Sequence, residues 1–155
     1  MLVTSNGGTS EREASLAWTP SLLNRLSIDP RYITALLLTP NHRSEYALMV
    51  DILAAWKAKV QRQKSLQDLE TAAHQFLAQA ALQRGQTPVL IIDEASLMRL
   101  EVFAQIHTLS QFDMDSKPLL PIVLAGQNNL VDKLMFHTSR PLASRRSVVT
   151  DRLGP

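Results

Sequence analysis

A chain of 155 residues without cysteine can bury one substantial core, and it has neither disulfides nor thiolate metal sites. A formal net charge of +2 is too small to argue for nucleic acid from bulk electrostatics. Apolar runs such as 35–38 and 89–92 fall far short of the roughly 20 residues that cross a bilayer, and no basic-then-apolar leader opens the chain, so a cytoplasmic protein without a membrane span is expected.

Residues 1–20 are rich in Ser, Thr, Gly and charge, keep no period, and read as a loop or a poorly ordered end. Leu22, Leu23 and Leu26 make a short helical stripe that stops at Asp29-Pro30, and Tyr32 to Thr39 is a β-rich run ended by Pro40. Ser44 is placed to cap a helix running to about Gln63, with Leu48, Ile52, Ala55, Trp56 and Val60 inward and Lys57, Lys59, Arg62 and Lys64 on a basic outer face. That face could meet phosphates or simply be solvated. Ser65-Leu66-Gln67-Asp68 is close to a capping box and opens a helix striped by Leu66, Leu69, Ala73, Phe76, Leu77 and Ala80, which Gly85 ends. Val89 to Ile92 is a strand, and Leu97, Leu100, Phe103, Ile106 and Leu109 stripe the next helix. Leu119 to Ala125 is a further strand closed by Gly126-Gln127. A final helix spans Asn129 to about Phe136, and Ser139 to Pro155 is polar and irregular. This succession predicts an α/β fold with a parallel sheet and helical crossovers.

Val89-Leu90-Ile91-Ile92-Asp93-Glu94 carries the chemistry. A parallel strand buried on both faces reads as continuous aliphatic residues, and its carboxyl end opens onto the crevice where α/β sheets bind ligands. In a nucleoside triphosphatase such a pair is a Walker B element: Asp93 would hold Mg²⁺, through a coordinated water, and Glu94 would orient or deprotonate the attacking water. The plainer alternative is an acid that caps the following helix. His42, His74, His107 and His137 lack ligand spacing, Ser96 and Ser110 lack a nucleophile's His-Asp context, and Trp18 and Trp56 are too isolated for a base-stacking platform.

Together with Phe112-Asp113-Met114-Asp115-Ser116 and Ile122-Val123-Leu124-Ala125-Gly126-Gln127, the stretch from Pro88 to Ala95 resembles the AAA+ ATPases of the general secretion pathway protein A type and their relatives that assist transposases. The resemblance extends from about Leu22 to Arg146. It implies a three-layer α/β P-loop NTPase core that binds and hydrolyses ATP with Mg²⁺, coupled to assembly of a transposase or secretion partner. DNA contact and a nucleotide-dependent homo-oligomer are further implications. It also places Gln127 at the sensor 1 position, where a polar side chain contacts the γ-phosphate or the attacking water; a Gly-Gln turn leaving a strand is the alternative. Arg145 or Arg146 falls where the family keeps an arginine that reaches a neighbouring subunit's nucleotide, against a solvated basic tail.

The departure lies at the phosphate loop. Gly-x-x-x-x-Gly-Lys-Ser/Thr needs a lysine for the β and γ phosphates. Here Leu2 to Ser10 reads as a strand end followed by Gly7, Gly8, Thr9 and Ser10 as the cofactor-binding remnant, with no lysine, and Arg12 is no substitute. The chain is therefore expected to divide into a disordered or degenerate phosphate-loop region (1–20), an ATPase core (21–138) and a basic tail (139–155), lacking an intact phosphate loop and the helical lid. A protein-interaction module derived from the same core, without turnover, is the competing reading.

Overall fold

The computed structural model describes residues 2–6, 21–38, 44–59, 65–110, 120–127, 129–135 and 148–151. Five parallel strands form one sheet: β1 (Leu2–Asn6), β2 (Tyr32–Leu37), β3 (Thr87–Ile92), β4 (Ile122–Gln127) and β5 (Val148–Asp151), in the order β2-β3-β4-β1-β5. The helices are α1 (21–28), α2 (Glu45–Ala55), α3 (Leu66–Gln83), α4 (Leu100–Ser110) and α5 (Asn129–Met135), with a 3₁₀ turn at Ala95–Leu97 between β3 and α4.

The period of two along β3 divides the protein into layers. Leu90 and Ile92 join the larger core with Ala35, Leu37, Ile122 and Leu124, which packs under α2, α3 and α4. Val89, Ile91 and Val123 point the other way, against Leu22, Leu23 and Leu26 of α1. A strand covered on both faces has no use for a polar position, which is why β3 is apolar from Pro88 to Ile92, after Thr87 at its half-buried start.

Local signals set several boundaries. Ser44 Oγ accepts the Ala47 N–H at 3.1 Å. Ser65 and Asp68 complete a reciprocal capping box: Asp68 N–H donates to Ser65 Oγ at 3.2 Å, and Ser65 N–H donates to Asp68 Oδ2 at 2.9 Å. Gly85 ends α3 in the left-handed region, φ +60°. Trp56 is buried and stacks on Phe76, ring centroids 5.3 Å apart, which joins the end of α2 to α3.

Four expectations are corrected. The strand end expected at Leu2 is a full strand over residues 2–6, inside the sheet between β4 and β5, where the composition of 1–20 read as a loop; its two apolar residues give no periodic signal, and pairing on both edges makes the strand. Residues 148–151, expected to be irregular, form the outer strand β5 on β1. Helix α2 stops at Ala55, with Trp56 as its C-cap and Lys57 at a positive φ of 55° that breaks the helical path, so the predicted extension to Gln63 does not form through Lys59; residues 60–64 lie outside the described residues. Leu97 belongs to the 3₁₀ turn, with 49% of its surface exposed, and α4 begins at Leu100.

The register offsets β4 from β3, so that β4 extends past the carboxyl end of its neighbour. Ile92 pairs with Leu124, so Ala125, Gly126 and Gln127 run on past the end of β3 and pair instead with Thr4, Ser5 and Asn6 of β1. The 3₁₀ turn folds back over this overhang. A Cβ on Gly126 would lie 2.9 Å from the Ser96 nitrogen and 3.1 Å from its Cβ, so only glycine lets the turn approach. Gly126→Ala is expected to destabilise the protein by about 1–3 kcal/mol through overpacking, read as a lowered urea midpoint with an unchanged slope.

Candidate functional site

Strands β1, β3 and β4 are parallel, so their carboxyl ends open at the same edge of the sheet. That edge collects three sequence-predicted features. Asp93 and Glu94 follow β3, Gln127 closes β4, and the chain leaves β1 at Asn6, whose register partner is Gln127. Gly7, Gly8, Thr9 and Ser10, the expected phosphate-binding remnant, come directly after Asn6 and lie outside the described residues, as do Arg145, Arg146 and the Phe112 to Ser116 segment.

Asp93 is fixed from three sides. Its N–H donates to the Leu37 carbonyl of β2 at 2.8 Å, its Oδ1 accepts the Glu94 N–H at 2.9 Å, and only 7% of its surface is exposed. Burial pushes its carboxyl above the ordinary carboxylate range; the Glu94 N–H pulls the other way, and the neighbouring Glu94 charge adds to the rise. No cation pairs with Asp93 among the described residues, and its Oδ2 accepts no hydrogen bond there. A buried acid with one oxygen uncommitted suits a hard divalent cation, whose preferred ligands are carboxylate oxygens and water. The cap alternative finds no support, since neither acid side chain caps the 3₁₀ turn.

Glu94 is half-buried and sits in the left-handed region, φ 54°, ψ 28°. For a residue with a side chain this costs about 1–2 kcal/mol. Its conformation aims the chain out of β3 and back across β4 into the Ala95–Leu97 turn.

Gln127 has an exposed side chain and a held backbone: its N–H donates to Ser96 Oγ at 3.3 Å. Ser96, dismissed as a nucleophile, turns out to be a structural centre, 3% exposed and touching both Gly126 and Gln127. Lys133 of α5 donates through Nζ to the Ser96 carbonyl, and to the Met98 carbonyl at 3.3 Å. Nothing in the sequence marks either residue, because a serine after two acids and a lysine on a short helix have no distinguishing pattern. A cavity of about 500 Å³ lies beside this turn, lined by Leu97, Met98, Arg99, Leu100, Glu101 and Lys133.

Other candidates fall away. Among the described residues no three His, Asp or Glu side chains gather as a metal cluster, and no helix is long and apolar enough to cross a membrane. His74 is half-buried on α3, where burial lowers its proton affinity against the opposing charge of Glu70. Lys57 and Lys59 are exposed at the end of α2; Arg62 and Lys64 lie outside the described residues.

Against known proteins, the profile of the AAA domain family matches residues 12–134. Comparison with characterised sequences gives no match. Among solved structures the chain is similar to Cdc6p from Pyrobaculum aerophilum, with a TM-score of 0.68 and 14% identity over 96% of this chain and 38% of that one. It is also similar to the Aeropyrum pernix ORC2 protein, solved as ADPNP-ADP complexes, with a TM-score of 0.64 and 11% identity over 97% of this chain and 41% of that one. The chain thus spans about two fifths of the length of these structures. At such identities the likeness is one of fold, and the profile supplies the family: the chain belongs to the AAA domain family, built on the three-layer α/β core of the AAA+ P-loop NTPases.

Proposed function

We propose that the chain binds ATP with Mg²⁺ at the carboxyl edge of the sheet and hydrolyses it to drive assembly of a protein partner, a transposase or a secretion component. The observation that carries this reading is Asp93: a buried carboxylate with no neutralising partner among the described residues, at the end of a parallel strand two places from the strand that a phosphate loop would follow. Burial without a partner is costly for a charge, and such residues concentrate at functional sites. The ADPNP-ADP complexes of the Aeropyrum pernix protein, which shares the fold, support nucleotide as the ligand.

In this reading Asp93 would hold Mg²⁺, through a coordinated water, and the ion would supply charge neutralisation for the phosphates. Glu94, half-buried, would orient the attacking water and take its proton. Gln127 projects its exposed amide from the overhang of β4 to hydrogen-bond the γ-phosphate or the water. Gly7, Gly8, Thr9 and Ser10 offer backbone N–H groups to the phosphates, and Arg145 or Arg146 reaches the nucleotide of a neighbouring copy in an oligomer. The exposed Lys57 and Lys59 leave contact with DNA phosphates within the proposal.

One observation favours a second reading. No lysine precedes Lys57 in the sequence, so the segment after β1 has no ammonium for the β and γ phosphates. A core that binds partners without turnover accounts for that loss directly.

Binding of a fluorescent ATP analogue separates the two. Saturable binding that requires Mg²⁺ and disappears in Asp93→Ala is expected; no binding up to millimolar nucleotide would leave the interaction module standing. In Glu94→Gln, hydrolysis is expected to fall about 10²–10⁴-fold, the usual contribution of a general base, while Mg²⁺-nucleotide binding persists.

Asp93 also predicts a pH dependence. A carboxyl held above its unfolded proton affinity contributes stability when protonated and loses it as pH rises through the folded value, so the charged form burdens the fold at neutral pH. Asp93→Asn keeps an acceptor for the Glu94 N–H. It is expected to melt higher than the wild type at pH 7, with the advantage shrinking as pH falls toward the ordinary carboxylate range; equal melting temperatures at pH 7 would contradict it.

A further inference from the structure

We infer that Lys133 and Ser96 form a latch that holds the Ala95–Leu97 turn, and through it Glu94, in register with Gln127; Lys133 is thus a positioning residue for hydrolysis, an inference that rests on the nucleotide reading above.

Three independent contacts converge on Ser96. Its Oγ takes the Gln127 N–H at 3.3 Å, its backbone nitrogen abuts Gly126, and its carbonyl accepts Lys133 Nζ, which also reaches the Met98 carbonyl at 3.3 Å. A 3₁₀ turn of three residues leaves carbonyls without intrahelical donors, and a lysine would normally carry its ammonium into water. Here the half-buried Lys133 directs it at two carbonyls of the turn that leaves the acids. Lys133 lies six residues after Gln127, on the helix that leaves β4, so one short piece of chain carries both the sensor side chain and the clamp on the opposite turn.

Glu94 needs such a clamp. Its left-handed backbone has no side-chain cap; it is defined on one side by Asp93 Oδ1 and on the other by the turn that Ser96 and Lys133 hold. Release of the turn would let Glu94 relax out of that conformation and change its reach toward a water aligned by Gln127. Misplacement on the scale of 1 Å can cost on the order of 10²-fold in rate while ground-state binding is little changed.

The test compares the wild type, Lys133→Met, Lys133→Arg and Glu94→Gln as full chains, by backbone hydrogen exchange over 94–98 and 127 and by steady-state ATP hydrolysis with Mg²⁺. In Lys133→Met, exchange is expected to quicken at 94–98 and 127, with kcat reduced about tenfold or more and KM for ATP within about twofold. Lys133→Arg, which keeps a cationic donor, should recover part of both. If Lys133→Met fails to fold, Lys133→Gln carries the same comparison. Unchanged exchange overturns the latch, and faster exchange with unchanged kcat overturns its role in positioning. If the wild type hydrolyses no faster than Glu94→Gln, the nucleotide reading has failed and the positioning role falls with it, while the exchange data still report separately whether the latch exists.

Discussion

The unequal pairing of β3 with β4 is the constraint on which the site depends. Because Ile92 meets Leu124, β3 ends three residues before β4 does, and the chain after β3 has to cross the remaining length of its neighbour. A residue in the left-handed region, a three-residue turn and a glycine beneath it make that crossing. The same geometry puts two acids at the foot of the overhang and an amide at its tip, with β1 on the far side delivering the chain to the same edge.

Local stability is spent at this edge. Asp93 is buried against its preference for water, and Glu94 adopts a backbone that glycine would take more easily. The rest of the core supplies the compensation. Helices α2, α3 and α4 cover one face of the sheet and α1 the other, with Trp56 stacked on Phe76 and a 2.6 Å hydrogen bond from Gln105 to Glu70 tying α4 to α3. A strained, charged corner on a well-packed scaffold is what a site requires if its groups are to hold position.

In the proposed reading the phosphate side is less complete than the side of the acids and the amide. Acids and amide are present, while the lysine that would complement the phosphates is missing from the segment after β1. Electrostatic stabilisation of transferred phosphoryl charge would then depend on backbone donors, the ion and an arginine from a neighbouring copy. Under that reading, hydrolysis would rely on assembly more heavily than in a protein with an intact loop.

Elements whose cause is local were legible in the sequence. The capping box at Ser65 and Asp68, the termination at Gly85, the stripe of α3 and the aliphatic run of β3 all depend on neighbours within a few residues, so their pattern survives without the fold. The acids and Gln127 could be picked out for the same reason, since each ends a recognisable strand. Strand β5 could not, and β1 only as a strand end before its glycines, because two apolar residues carry no period and the hydrogen bonds that make them strands come from residues more than 100 positions away. The break after α2 lies at the positive φ of Lys57, which the helical stripe does not show, and the roles of Ser96 and Lys133 depend on an approach that only Gly126 allows. The sequence by itself determined which side chains are available for chemistry at the strand ends. Tertiary structure alone decided the strand order, the unequal strand ends and the contacts of Ser96 and Lys133, because those arise from long-range pairing and close packing that no local pattern encodes.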